Sequence, residues 1–149
     1  MKSGEPLGCN LNPEIGLPPL GQTDLPMKVL IAGGGPAGMS AVLYMTRRGH
    51  HVTLAEKTDH LGGQFAIAWQ APGKERMKEG LDSLKHLAKA SGASILMNRA
   101  VDAVLVREIQ PDLLVWATGA MQNIPEIKGL DNQHVMTSIE YYQGKKEIK

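Results

Sequence analysis

A glycine-rich turn directly after a short aliphatic run constrains this chain most. The run covers residues 28–32, and its length, its β-branched content and the glycines that end it predict a buried parallel strand. From residue 36 to 48 apolar residues recur with helical spacing, which predicts a helix that ends at Gly49. A second strand is predicted over 52–56. Strand, turn, helix and strand fit within about 30 residues, as a right-handed βαβ unit requires.

The three glycines of the turn, Gly33-x-Gly35-x-x-Gly38, have separate tasks. Gly33 permits a tight turn out of the strand, Gly35 lets a pyrophosphate approach the backbone, and Gly38 lets helix and strand pack closely. The helix then opens with Pro36 and Ala37, and its first turn offers unpaired N–H groups and a partial positive charge to phosphates. The pattern predicts a dinucleotide site, and the alternative is a purely structural turn.

An acid at the end of the second predicted strand supports the dinucleotide interpretation. Glu56 lies where a carboxylate accepts hydrogen bonds from the adenosine ribose hydroxyls. A carboxylate there would repel a 2′-phosphate, which disfavours NADP at this site. The alternative is a solvated acid at a strand end.

The rest of the chain continues the alternation of strands and helices. The remaining predictions are an irregular segment at 57–73, a helix at 75–91, a strand at 94–97, a short helix favoured over a strand at 101–109, and a buried strand at 113–117. Trp116 is expected in the core of that last strand. The alternation predicts an α/β, Rossmann-like parallel sheet with helices on both faces.

Composition indicates one domain and excludes some classes of binding partner. Residues 1–26 are rich in proline and glycine and are predicted to form an extended arm, whereas 27–149 form the domain. The net charge is +1 with no basic stripe, so nucleic acid is not an expected partner. No apolar run approaches the roughly 20 residues of a membrane span. A single cysteine excludes an internal disulfide, and we expect a cytoplasmic protein.

Several runs resemble the two-dinucleotide-domain flavoproteins. They are Gly33-Gly34-Gly35-Pro36-Ala37-Gly38, Glu56-Lys57, Leu61-Gly62-Gly63-Gln64-Phe65, Ala117-Thr118-Gly119-Ala120 and Ile124-Pro125-x-Ile127-x-Gly129. Gly62–Phe65 followed by Pro72–Glu75 is most similar to the C-terminal FAD/NAD(P)-binding region of the 2,4-dienoyl-CoA reductase, 2-enoate reductase and trimethylamine dehydrogenase group. The resemblance covers the chain from about Cys9 to Lys149.

The resemblance implies that the first site takes FAD. The Gly-Gly-Gln segment would lie along the pyrophosphate and flavin side, and the Ala-Thr-Gly strand end would pass near the cofactor. Trp69, in the loop that follows, is a lesser candidate to cover the flavin. The cofactor-binding candidates are Gly33, Gly35, Pro36, Ala37, Gly38, Glu56, Lys57, Gly63, Gln64, Val101, Ala117, Thr118 and Gly119.

Cys9 is a candidate metal ligand only in a larger enzyme. The run Cys9-Asn10-Leu11-Asn12-Pro13 resembles the segment around the fourth ligand of that group's 4Fe-4S cluster. One thiolate cannot hold a cluster that needs four. We therefore expect residues 1–26 to be a remnant of the iron–sulfur segment, and the domain to be incomplete, ending before the second nucleotide-binding domain. The parent enzyme is implied to use NAD(P)H and FMN as well.

The leading hypothesis is the FAD-binding portion of an NAD(P)H-dependent flavin oxidoreductase that reduces an unsaturated substrate. The chain by itself is expected to be inactive, to associate with the remainder of its parent enzyme, and to self-associate through apolar surface left uncovered. One alternative is a non-catalytic module that holds ADP as a structural nucleotide. Another is the NAD-binding domain of a short dehydrogenase.

Overall fold

The computed structural model describes residues 18–144, so most of the predicted arm, including Cys9, lies outside the described residues. Strands and helices alternate along the described part. The elements are β1 (Lys28–Ala32), α1 (Pro36–Arg47), β2 (His51–Ala55), α2 (Phe65–Ala68), α3 (Arg76–Ala90), β3 (Ser94–Leu96), α4 (Ala103–Ile109), β4 (Leu113–Trp116) and α5 (Ser138–Tyr142).

The four strands form one parallel sheet in the order β3-β2-β1-β4. The start of β4 is fixed beside β1 by a reciprocal pair of bonds: the Lys28 N–H donates to Asp112 Oδ2 at 2.7 Å, and the Asp112 N–H donates to the Lys28 carbonyl at 2.9 Å. Leu30 then lies opposite Leu114, and Ala32 opposite Trp116. The predicted α/β fold with a parallel sheet is confirmed.

One face of the sheet carries the larger core. Alternate residues of β1 and β2 point toward α1 and α3, whose apolar stripes recur with helical spacing. The buried cluster consists of Val29, Ile31, Met39, Val42, Val52, Leu54, Leu61, Leu81 and Ala88. Each large aliphatic side chain buried here contributes roughly 1.5–3 kcal/mol relative to an exposed one. This face therefore supplies most of the hydrophobic stabilisation.

Among the described helices, α4 is the one that packs on the other face. Asp102 caps this helix, its Oδ1 accepting the Leu105 N–H at 2.8 Å, and Gln110 ends it in the left-handed conformation with φ +50°. Leu105 is buried against Leu30 and Ala55. Helices thus cover both faces, as predicted, but unequally.

The strand predicted at 113–117 is confirmed as β4 (Leu113–Trp116), but the prediction that it is buried, with Trp116 in the core, is wrong. Leu113 and Val115 are half-buried against the larger core, whereas Leu114 is 39% and Trp116 67% exposed. The reason is position, because β4 is an edge strand and α4 packs over the middle of the sheet, on Leu30 and Ala55.

Two short helices lie where none was predicted. α2 interrupts the expected irregular segment, directly after Gly63 and Gln64. α5 begins with a capping box, in which the Glu140 N–H donates to Thr137 Oγ1 at 3.2 Å and the Thr137 N–H donates to Glu140 Oε2 at 2.8 Å. No helix within residues 18–144 is long and apolar enough to cross a bilayer.

Candidate functional site

The turn between β1 and α1 needs glycine at two positions for its own backbone. Gly33 has φ +106°, and a Cβ there would lie 2.5 Å from the Ala117 carbonyl oxygen. A Cβ on Gly38 would overlap the carbonyl oxygen of Gly33, because α1 approaches the end of β1 that closely. Both tasks agree with those expected from the sequence.

Gly35 is different, because nothing within residues 18–144 requires glycine there. Its φ of −72° and ψ of 179° suit any residue, and no heavy atom of the described residues other than its own chain neighbours lies within 4 Å of the place its Cβ would take. It is the N-cap of α1, which has no side-chain cap and no acid in its first turn. Pro36, Ala37 and Gly38 form that turn; Pro36 has no N–H, so Ala37 and Gly38 supply the N–H groups that, with the helix dipole, lie next to the empty Cβ position of Gly35. An anion such as phosphate fits this space.

Glu56 follows β2 directly and is only 7% exposed. Its Oε2 accepts the Gly34 N–H at 2.6 Å, and its Oε1 accepts the Thr58 N–H and hydroxyl, each at 2.8 Å. Burial raises the pKa of Glu56, but the bonds from Gly34 and Thr58, with the charge of Lys57, bring the pKa below its ordinary value. The carboxylate is therefore ionised at neutral pH, and Oε2 retains capacity for a further donor such as a hydroxyl.

An open cleft of about 140 Å³ lies where β1, β2 and β4 end. This is where open parallel sheets bind ligands. The cleft is lined by Gly33, Glu56, Lys57, Val101, Trp116 and Thr118, together with three alanines. The structure thus brings five of the predicted cofactor-binding residues to one cleft, and it adds Trp116.

A second group of predicted residues borders Gly35. The Gly62 N–H donates to the Gly34 carbonyl at 2.8 Å, and a Cβ on Gly63 would lie 3.3 Å from the Gly35 Cα. The Gln64 side-chain amide donates to the Ala120 carbonyl. This bond ties the Gly62–Gln64 loop to the segment after β4, which contains two further predicted residues, Ala117 and Gly119.

Trp69 does not line the cleft. It is partly buried against the larger core, and Lys78 Nζ lies 5.8 Å from its ring centroid. No group of three His, Cys, Asp or Glu side chains within residues 18–144 is placed to hold a metal, and Cys9, the predicted ligand, falls outside that range.

Reasoning from the sequence missed three contributors: Trp116, Gly34 and Thr58. For Trp116 a signal was present, because it stands directly before the Ala117-Thr118-Gly119 strand end that was assigned to the cofactor. Gly34 and Thr58 act through hydrogen bonds to Glu56, which only the folded backbone reveals.

Comparison with known proteins agrees with this geometry. The family model of the pyridine nucleotide-disulphide oxidoreductases matches residues 27–149. The NADH oxidase of Thermoanaerobacter brockii is 36% identical over 132 residues, covering 86% of this chain and 20% of that protein. The cinnamate reductase of Clostridium sporogenes is 32% identical over 128 residues, covering 84% of this chain and 19% of that protein.

A solved structure is similar over almost the whole chain. The complex of 2-naphthoyl-CoA reductase with 2-naphthoyl-CoA matches with a TM-score of 0.85 and 31% identity, covering 95% of this chain and 22% of that one. The chain spans about a fifth of the length of the curated relatives it matches. With most of its length matched, the chain belongs to the pyridine nucleotide-disulphide oxidoreductase family, and its predicted resemblance to the 2,4-dienoyl-CoA reductase, 2-enoate reductase and trimethylamine dehydrogenase group is confirmed.

Proposed function

We propose that this chain binds the ADP half of FAD and forms the FAD-binding part of an NAD(P)H-dependent flavin oxidoreductase that reduces an unsaturated substrate. The observation that carries this proposal is Gly35. Its backbone does not need glycine, no atom of the described residues fills the place of its Cβ, and it stands at the end of α1, which has no side-chain cap. A phosphate that binds there would explain why residue 35 is glycine, since packing within the protein does not.

The placement of Glu56 fits a ribose next to that phosphate. The Gly34 N–H joins the carboxylate to the glycine turn, so the two binding groups are held together by one hydrogen bond of 2.6 Å. Glu56 Oε2 is free to accept a ribose hydroxyl as well. A nucleotide with its phosphates at Gly35 and its ribose at Glu56 would contact both binding groups.

The charge of Glu56 selects among nucleotides. Because the pKa of this carboxyl is lowered, it is an anion at neutral pH and repels a ribose 2′-phosphate. ADP, FAD and NAD have free ribose hydroxyls and fit, whereas NADP does not. NADPH would have to bind elsewhere in the parent enzyme.

Bound FAD supplies the redox-active ring, while the protein supplies binding and orientation. Gly63 and Gln64 would border the pyrophosphate, because Gly63 lies against Gly35. The bond from Gln64 to the Ala120 carbonyl would hold that border in place. The whole enzyme would also use FMN and a 4Fe-4S cluster, which the one cysteine of this chain cannot ligate.

The relatives support reduction of an unsaturated substrate. Cinnamate reductase, bilirubin reductase and 2-naphthoyl-CoA reductase are named for reductions of unsaturated compounds. NADH oxidase is named for its nicotinamide electron donor. Since this chain covers about a fifth of such proteins, the substrate would bind in other parts of the parent.

The test is the visible absorption spectrum of the purified chain after mixing with FAD and removal of the excess. We expect the flavin bands to stay with the protein and to be displaced by excess ADP. FMN is the matched control, because it lacks the ADP half and should be removed. A chain that binds ADP but releases FAD would favour the structural ADP module, and a chain that binds neither would contradict the proposal.

A further inference from the structure

Trp116 ends β4 with its large apolar side chain 67% exposed. Its neighbour Val115 packs toward the larger core, so the alternation of the strand turns Trp116 to the opposite face. Single exposed apolar side chains are common and assign nothing alone. The second observation is that Trp116 borders the same cleft as Glu56 and Thr118.

Two of the larger apolar residues, Val101 and Trp116, line this cleft. Val101 packs against Leu30, Ala55 and Leu105 over the middle of the sheet, whereas Trp116 ends β4 at the sheet edge. Glu56, which follows β2, lines the same cleft. Ala32 and Ala55, from the strands in the middle, also line the cleft and leave room above the sheet. The cleft therefore combines one carboxylate acceptor with apolar walls.

We propose that Trp116 is a specificity-determining residue whose indole packs against the base of the bound nucleotide. The inference rests on the proposed function, in which the phosphates bind at Gly35 and the ribose at Glu56. A base attached to that ribose enters the same cleft. Aromatic side chains pack on bases by offset stacking or edge contacts.

The inference explains how the site prefers a nucleotide over a simpler anion. The helix end at Gly35 binds any phosphate, and Glu56 binds any ribose with free hydroxyls. Neither of these two contacts depends on the base of the ligand. Trp116 adds a contact that only a ligand with an aromatic base can make. Removal of the indole should therefore weaken the binding of nucleotides and leave the binding of base-free phosphates unaffected.

Calorimetric titration of the full 149-residue chain tests this. ADP and inorganic pyrophosphate are the two probes, and Trp116→Ala and Trp116→Phe are the variants. Trp116→Ala should weaken ADP binding by about 5-fold to 150-fold, which is the range for stacking one base on one ring. Pyrophosphate binding should change less than about twofold, and Trp116→Phe should retain most of the ADP affinity.

Fluorescence provides an independent readout, because the sequence contains only two tryptophans. Trp69→Phe leaves Trp116 as the only indole, and ADP should change its emission. Trp116→Phe leaves Trp69, which lies outside the cleft, and ADP should leave that emission unchanged. An unchanged Trp116 emission in a chain that binds ADP would overturn the inference.

The outcomes separate this inference from the proposed function. If the wild-type chain binds no ADP, the proposed function fails and the role of Trp116 fails with it. If the wild type binds ADP and Trp116→Ala binds it equally well, only the role of Trp116 is overturned. Trp116→Gln is a second non-aromatic variant in case Trp116→Ala does not fold, which thermal unfolding would reveal.

Discussion

The middle of the sheet and its β4 edge differ sharply, although they share one register. Leu30 of β1 is fully buried, while Leu114, its partner on β4, is 39% exposed. Ala32 is buried at 1%, while its partner Trp116 is 67% exposed. The centre is held by packing of the protein on itself. The exposed end of β4 faces the cleft, so its apolar surface is available to a ligand.

The largest effect is expected at the turn in the well-packed region. Gly38→Val would push side-chain atoms into the Gly33 carbonyl, and neither backbone can move without separating α1 from β1. We expect a loss of stability on the order of 5 kcal/mol, or no stable fold. Chemical denaturation followed by circular dichroism measures it. A variant as stable as the wild type would show that the close approach is not needed.

Truncating the two paired leucines compares the regions directly. Leu30→Ala removes a fully buried side chain and should cost about 3 kcal/mol of unfolding free energy. Leu114→Ala, at the same register on the edge, should cost less than about 1 kcal/mol. Equal losses in urea denaturation would mean that the β4 edge is as tightly packed as the centre.

Glu56→Gln should have a smaller effect on stability, about 1–2 kcal/mol at neutral pH, because it weakens the bonds from Gly34 and Thr58. The pKa of Glu56 is lower in the folded chain than its ordinary value of 4.5. Its contribution is therefore complete above about pH 4.5 and is lost as the pH falls through the folded value. The difference in unfolding free energy between the wild type and Glu56→Gln, measured as a function of pH, should decrease as the pH falls. A difference that does not depend on pH would contradict this prediction.

Much of the fold could be predicted from the sequence because its signals are local. Glycines mark the β1–α1 turn, and helical spacing marks α1 and α3, so those elements fall within a residue or two of the prediction. β4 was different: an unbroken apolar run looks the same whether one or both faces are covered. Which face α4 covers is a tertiary fact, so the exposure of Trp116 was not predictable from the run.

The short helices and the site were also only partly predictable from local sequence signals. The capping box of α5 was readable in Thr137 and Glu140, but so short a helix has little periodicity. For the site, the sequence predicted Glu56 from its place at the end of the second predicted strand. It could not show that the Gly34 N–H and Thr58 hold the carboxylate, since those partners meet only when the turn folds. The predicted roles of the cofactor-binding residues stay predictions until a nucleotide is bound.

Titration of ADP into the wild type, Gly35→Ala and Gly21→Ala tests the central claim most directly. Within the described part of the chain, neither glycine has a heavy atom within 4 Å of its would-be Cβ, so both variants should unfold at about the wild-type temperature. We predict that Gly35→Ala loses ADP affinity by at least about tenfold, because the methyl group fills the space left for phosphate, and that Gly21→Ala binds like the wild type. If Gly35→Ala binds ADP as tightly as the wild type, the glycine turn is not the phosphate site.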